Sequence, residues 1–181
     1  MTSPDAPSDV SVRPARADDA AGVAAVSLAS WRGPYAGLLP TGALDGVTVD
    51  DLAEQWRTTL ASLPSSRHLV VVALEGADVV GHALVEPASD PDTGVDTSEL
   101  VDLVVHPDRQ RRGHGSRLLA AVVDIARSTG VVELTTWVVD SDAPRTSFLV
   151  SAGFADDGAE RTLDTGPGTA SLAQKRFATT L

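Results

Sequence analysis

The chain of 181 residues contains no cysteine. That absence excludes disulfides, a thiolate metal site and a cysteine nucleophile, and it fits a cytoplasmic setting. No apolar run is long enough to cross a bilayer. The opening MTSPDAPSDV has neither the basic start nor the apolar stretch of a secretory signal. Positive charge is scarce: 14 Lys and Arg against 25 Asp and Glu leave a net charge of −11, with a pI near 4.6. A field of that sign argues against nucleic-acid and membrane partners and favours a cationic substrate. It also promotes solubility whatever the ligand. No internal repeat is visible.

What is present is ordinary in bulk. A hydrophobic fraction of 43% and a mean hydropathy of +0.03 suit a globular chain of single-domain length. Residues 1–9 are rich in Pro, Ser and Asp and read as a disordered tail, leaving 10–181 as one domain. Residues 10–13 alternate as a short strand. A helix starts at Ala17-Asp18-Asp19 and breaks at Gly33-Pro34. A second helix spans 49–60, with Leu52, Trp56 and Leu60 on one face. Residues 68–74 and 79–86 form a hairpin around Glu75-Gly76. Residues 99–105 read as a buried strand, 115–128 as a helix stopped by Thr129-Gly130, and 132–139 as a strand. A helix opens at Pro144 and closes at Gly153. Two further strands, 159–163 and 169–177, flank the turn from Asp164 to Gly168. The order β-α-α-β-β-β-α-β-α-β-β gives an α/β fold, a mixed central sheet flanked by helices.

The most informative stretch is LVDLVVHPDRQRRGHGS, residues 100–116. An apolar strand runs into a His106-Pro107-Asp108 turn, and Gln110-Arg111-Arg112-Gly113-His114-Gly115 then opens a helix. Glycines let backbone approach a ligand, and the helix N-terminus offers unpaired N–H groups and partial positive charge. Arg109, Arg111, Arg112 and Arg117 concentrate basic charge in an acidic chain. A dinucleotide fingerprint is missing its third glycine, because Leu118 stands there. A Walker loop is missing Gly-Lys-Ser/Thr. The unit suits another pyrophosphate, or it is an ordinary turn with a helix start.

Gln-x-x-Gly-x-Gly after a strand ending in His-Pro resembles the acetyl-CoA loop of the GCN5-related N-acetyltransferase (GNAT) family. Two further segments carry the likeness. SWRGPYAGLLP, residues 30–40, resembles the family's Trp-x-x-x-Tyr segment between the first helices. DSDAPRTSFLVSAGF, residues 140–154, resembles its Asn-x-x-Ala…Phe-Tyr-x-x-x-Gly-Phe segment. The element order agrees as well. The resemblance implies a GNAT-like acyl-CoA N-acyltransferase fold and no metal. It implies acetyl transfer from acetyl-CoA, the cosubstrate, to a primary amine of a small molecule or peptide by direct attack. It implies a splay between two parallel strands where Leu103, Val104 and Val105 meet the pantetheine, with the Val105 amide polarising the thioester carbonyl. Gln110, Arg111, Arg112, Gly113, His114, Gly115 and Ser116 then hold the pyrophosphate. The Ser116 hydroxyl either contributes to that site or caps the helix. Pairing through the C-terminal strands is common in the family, so a homodimer is an open option.

An alkyl ammonium with a pKa near ~10 must lose a proton before it attacks. Glu99, at the start of the strand leading to the loop, is the leading base by resemblance, and it is also counted among the acceptor contacts. A solvent-facing strand-end glutamate is the plain alternative. Asp102, Glu86 and His82 are its rivals. Trp31 and Tyr35 are placed on the acceptor wall, while Trp56 reads as core. Asp90, Asp92 and Asp96 either steer a cation or sit in a solvated loop. The chain departs from the pattern at two positions. Leu149 stands where the family has its tyrosine, leaving Ser147, water or no acid at all. Asp140 stands for the usual asparagine that meets the pantetheine. Catalysis is therefore expected to rest on proton abstraction and positioning, without a strong acid. The alternative function is an acetyl-CoA-binding sensor with little turnover. A protein or tRNA modifier is a third class, and the acidity argues against tRNA.

Overall fold

The computed structural model describes residues 10–33, 35–164 and 171–181. The tail at 1–9, Pro34, the turn residues 165–168 and the first two residues expected of the last strand lie outside them. Seven strands form one sheet: β1 (Val10–Pro14), β2 (Leu69–Glu75), β3 (Asp78–Pro87), β4 (Thr97–Val105), β5 (Glu133–Val139), β6 (Ala155–Leu163) and β7 (Leu172–Thr180). Their spatial order is β1-β2-β3-β4-β5-β7-β6. Every neighbouring pair is antiparallel except β4 and β5. Four α-helices cover the sheet: α1 (Ala20–Arg32), α2 (Val49–Ala61), α3 (His114–Ser128) and α4 (Ala143–Ser151).

Local chemistry fixes the helix starts. Thr48 and Asp51 exchange hydrogen bonds in a reciprocal cap at α2. At α1, the Asp19 carboxylate accepts the Arg16 N–H at 2.7 Å and both guanidinium nitrogens of Arg13 at 2.7 and 2.8 Å. This ties β1 to the helix, and the Arg13 contact holds the Asp19 carboxyl below its ordinary range.

Strand alternation divides the core in two. On one face, Val71, Ala73, Ala83, Val85, Leu100, Leu134 and Val138 pack with Leu118 and Val122 of α3 and Leu149 of α4. On the other, Val72 and Leu74 meet Val23 of α1 and Trp56 of α2. Side chains such as Leu100, Leu118 and Leu134 are fully buried, each worth about 1.5–3 kcal/mol relative to exposure.

Two irregularities matter for the site. In β4 the register with β3 slips between Leu84↔Asp102 and Val85↔Leu100, so Val101 has no partner and bulges outward, 42% exposed. In β6 the register slips between Asp156 and Glu160. That slip is why β6 begins at Ala155 rather than 159: broken alternation hides its first half from a periodicity reading. β7 runs on to Thr180, beyond the expected 177, by pairing with β5 as far as Glu133↔Thr180.

Candidate active site

β4 and β5 pair only at Thr97↔Glu133, Ser98↔Leu134 and Glu99↔Thr135. The last stitch is the Thr136 hydroxyl donating to the Leu100 carbonyl at 2.8 Å. Beyond it the strands part. On its other side β4 stays paired with β3 to Gly81↔Val105, and the His106 N–H continues to the Val80 carbonyl at 2.9 Å. In an antiparallel ladder, bonded and non-bonded pairs alternate. Val104 therefore commits its main-chain groups to His82. Leu103 and Val105 turn theirs towards the gap that β5 has left. One of these groups is engaged: the Gln110 side chain donates to the Val105 carbonyl at 3.3 Å.

A cavity of about 590 Å³ occupies this gap. Leu100, Leu103 and Val105 form its floor. Gln110, Arg111, Gly113, His114, Gly115 and Ser116 close one end. Ser141, Asp142, Arg145, Phe148 and Leu149 form the α4 side, while Tyr35 and Leu38 reach in from the connection between α1 and α2. The loop end is built for close main-chain approach. Gly113 is the N-cap of α3 at φ 83° and carries no capping side chain. Arg111 also takes a left-handed conformation, at φ 63°, a strain found mainly at functional loops. Ser116 is in the first turn of α3 and does not cap it. The leading N–H groups of α3 have no carbonyl before them within the helix, so this end can take an anion.

Glu75, at the end of β2, holds the loop from behind. His114 Nε2 lies 2.8 Å from its carboxylate, Arg109 at 3.2 Å and Arg112 at 3.6 Å. His114 is 2% exposed, so its ring is an internal anchor. These contacts, His114 foremost, lower the Glu75 pKa. Arg117 folds back to donate to the Arg112 carbonyl at 3.1 Å.

Because of the Val101 bulge, Glu99 and Asp102 both lie on the α1–α2 face, although Leu103 and Val105 pack on the α3 face. Glu99 is paired laterally with Glu86 and Thr135. Burial pushes its carboxyl up from the ordinary range. Asp90 and Glu86 add to that rise, and Arg161 and Arg176 oppose it. His82 is completely buried. Its Nε2 lies 3.4 Å from Asp102 Oδ2, and its ring meets the Trp56 ring edge-on at 5.4 Å. Neither ring nitrogen has a hydrogen-bond partner among the described residues.

Arg176 ties the β3–β4 connection to the far sheet. It donates to Asp90 at 3.2 Å, Asp92 at 2.8 Å and Asp157 at 2.7 Å. The three carboxylates raise its pKa further, against the effect of burial. Trp137 donates to the same Asp90 at 3.1 Å and lies under both Arg161, at 4.3 Å, and Arg176, at 5.6 Å.

The structure thus gathers Leu103, Val105, Gln110, Arg111, Gly113, His114, Gly115, Ser116 and Tyr35 around one cavity. Five expected residues are not in its lining. Glu99 stands on the α1–α2 face, next to Leu100, which does line it. Val104 is buried on the opposite face, Arg112 turns to Glu75, Asp140 precedes the lining pair Ser141 and Asp142, and Trp31 packs against Leu28 and Leu52 between α1 and α2. Asp142, two residues on, is the N-cap of α4 and accepts the Arg145 N–H at 3.0 Å. Asp90 and Asp92 both bind Arg176, Asp90 mostly buried and Asp92 still largely exposed. Arg145, Phe148, Trp137, Arg161 and the Glu75 anchor escape a reading of the sequence. Only the Pro144 helix start hints at the first two.

The model of the acetyltransferase (GNAT) family matches residues 31–154, the span that contains the gap, the loop and α4. The chain belongs to the GNAT family of acetyltransferases. A GNAT relative, the N-acetyltransferase YuaI of Bacillus subtilis, is 27% identical over 133 residues, covering 74% of this chain and 73% of that protein. A mycothiol acetyltransferase of Thermomonospora curvata is 35% identical over 111 residues, 61% of this chain, and the match spans only 33% of that longer protein. Solved structures share the fold. The Salmonella typhimurium protein yncA, solved with its cofactor acetyl-CoA, superposes with a TM-score of 0.70 at 19% identity over 94% of this chain and 93% of that one. The PaiA N-acetyltransferase of Thermoplasma acidophilum, in complex with coenzyme A, gives 0.69 at 16% identity over 96% and 99%. Among the described residues no helix is long and apolar enough to cross a membrane.

Proposed function

We propose that this GNAT protein transfers an acetyl group from acetyl-CoA to the primary amine of a small molecule or peptide, with Glu99 as the base. One observation carries the reading. The gap between β4 and β5 opens just past Glu99, and the cavity filling it runs from the adjacent Leu100 to the bare helix start at Gly113.

The residues present fit acetyl-CoA. A side chain at Gly113 would meet Arg117 Nη1 at 2.8 Å, whereas the glycine leaves the cradle open. Arg111 and the amides of residues 113–116 would hold the pyrophosphate. The main-chain groups of Leu103 and Val105 would meet the pantetheine, and the Val105 N–H would polarise the thioester carbonyl. When bound, acetyl-CoA supplies an activated acyl group. The chain's own part is to line up the amine and take its proton. Glu99, its pKa raised by burial, accepts that proton directly or through one water. The N–C bond forms, the C–S bond breaks, and its electron pair leaves on sulfur.

Around Glu99 the carboxylates of Asp90 and Glu86 are offset by Arg161 and Arg176, so support for a cationic acceptor comes from the chain's net charge of −11. Release of free thiol from acetyl-CoA on addition of amines from a mixed panel tests the proposal. Saturable release with at least one amine supports it. Coenzyme A binding without release on any amine supports the sensor instead.

A further inference from the structure

Leu149, standing where the family has its tyrosine, is 1% exposed and belongs to the core. The only tyrosine in the chain enters the same cavity from the other side. Tyr35 sits just after α1 and faces Arg145, Phe148 and Leu149 across the gap. Arg145 is partly buried on the cavity wall. Its Nε is buried without a hydrogen-bond partner among the described residues, and its Nη2 lies 3.5 Å from Thr136 Oγ1, beside the last stitch between β4 and β5. Asp142, which would otherwise neutralise it, commits one oxygen to the Arg145 N–H. A buried polar group left unpaired implies a partner that arrives with the ligand.

We infer that Tyr35 and Arg145 together form the site that stabilises the departing thiolate of coenzyme A, replacing the phenol absent at position 149. The phenol donates a hydrogen bond to the sulfur, and the guanidinium lends positive charge beside it. The inference rests on the acetyl-transfer reading. When the C–S bond breaks, its electron pair stays on sulfur. A phenol with a pKa near ~10 does not surrender its proton to the anion of a thiol near ~8.5. The proton therefore stays on Tyr35, and the thiolate is protonated from solvent on release. Burial raises the Tyr35 pKa, Arg145 opposes and the neighbouring Asp142 carboxylate adds to the rise, so the hydroxyl remains a donor through neutral pH and must turn from Asp142 to reach the sulfur.

The test needs no turnover. The chain has no cysteine, so in its complex with coenzyme A the only thiol is the ligand's. With protein in excess, the pH dependence of alkylation of bound coenzyme A by iodoacetamide reads that thiol's pKa. Hydrogen bonds to the charged form lower a pKa, so the bound thiol should titrate about one pH unit below free coenzyme A. Tyr35→Phe and Arg145→Met should each move it back towards the free value, with coenzyme A affinity by calorimetry unchanged for Tyr35→Phe. With the best acceptor, Tyr35→Phe should lower kcat roughly 10- to 100-fold with little change in KM. An identical thiol titration in wild type and both variants overturns the inference while leaving acetyl transfer standing. Failure of the wild type to bind coenzyme A overturns both.

Discussion

Replacing Gly113 with alanine isolates the backbone's part in holding a diphosphate. At φ 83° the left-handed conformation costs an L-residue about 1–2 kcal/mol. The new Cβ would also stand 2.8 Å from Arg117 Nη1. That nitrogen ends a flexible side chain and can retreat, but it then gives up its bond to the Arg112 carbonyl, worth about 0.5–1.5 kcal/mol. The sum is about 1.5–3.5 kcal/mol, and the exposed loop can shed it by abandoning its shape. Ligand binding must restore that shape, so coenzyme A affinity should fall roughly 10- to 300-fold. Gly130 supplies the control. It has the same φ of 83°, with nothing within 4 Å of the position a Cβ would take, and it lies just past the opposite end of α3. Gly130→Ala should cost a similar 1–2 kcal/mol, seen as a melting temperature lowered by roughly 2–8 °C, with coenzyme A binding intact. Calorimetric titration and thermal melting of both variants decide the matter. Wild-type affinity in Gly113→Ala, or equal loss of affinity in Gly130→Ala, would refute the cradle.

Other substitutions probe the acceptor side. Glu99→Gln should reduce kcat/KM by about 10²-fold or more near neutral pH. Because the carboxylate is the active form, wild-type activity falls as pH drops through the raised Glu99 pKa. The deficit should therefore shrink in acid, where Glu99 is protonated anyway, and in alkali, where the amine is already free. An unchanged pH–rate profile removes Glu99 as base. Arg176→Met leaves Asp90, Asp92 and Asp157 without their shared cation. It should cost about 1–3 kcal/mol in chemical denaturation, a figure below that of a fully buried pair because Asp92 is largely exposed. It also removes a charge that lowers the Glu99 pKa, so the acid limb of the rate profile should move to higher pH. A limb that stays in place would show that the cluster is electrically remote from Glu99.

All seven strands and four helices are legible because each has a local cause: alternation, an apolar helical face, a cap or a Gly/Pro stop. The loop is legible for the same reason, since Gln110 to Ser116 lie together in sequence. What escapes is non-local. Nothing near Glu75 announces that it will hold Arg109, Arg112 and His114, because it ends a strand 39 positions before that histidine. The trio around Arg176 is gathered from the β3–β4 connection and from β6. In the α4 segment the cap falls on Asp142 rather than Asp140, since the helix begins at Ala143 and takes the carboxylate immediately before it. The run Asp140-Ser141-Asp142 offers no local means of choosing between its two carboxylates. The connection after α1 carries Tyr35 to the side of the cavity opposite Arg145 and Phe148, a meeting that no spacing within either segment announces.

The unpaired residue at 101 makes β4 two rulers joined out of step. Counted straight along a regular strand, position 99 and position 103 would look the same way. The extra residue turns the later half over, so one continuous segment can serve a nucleophile above the sheet and a donor molecule below it. Excising Val101 would restore the even count and turn Glu99 away from the face it now occupies. A single codon thus separates a strand with two working sides from one with only one.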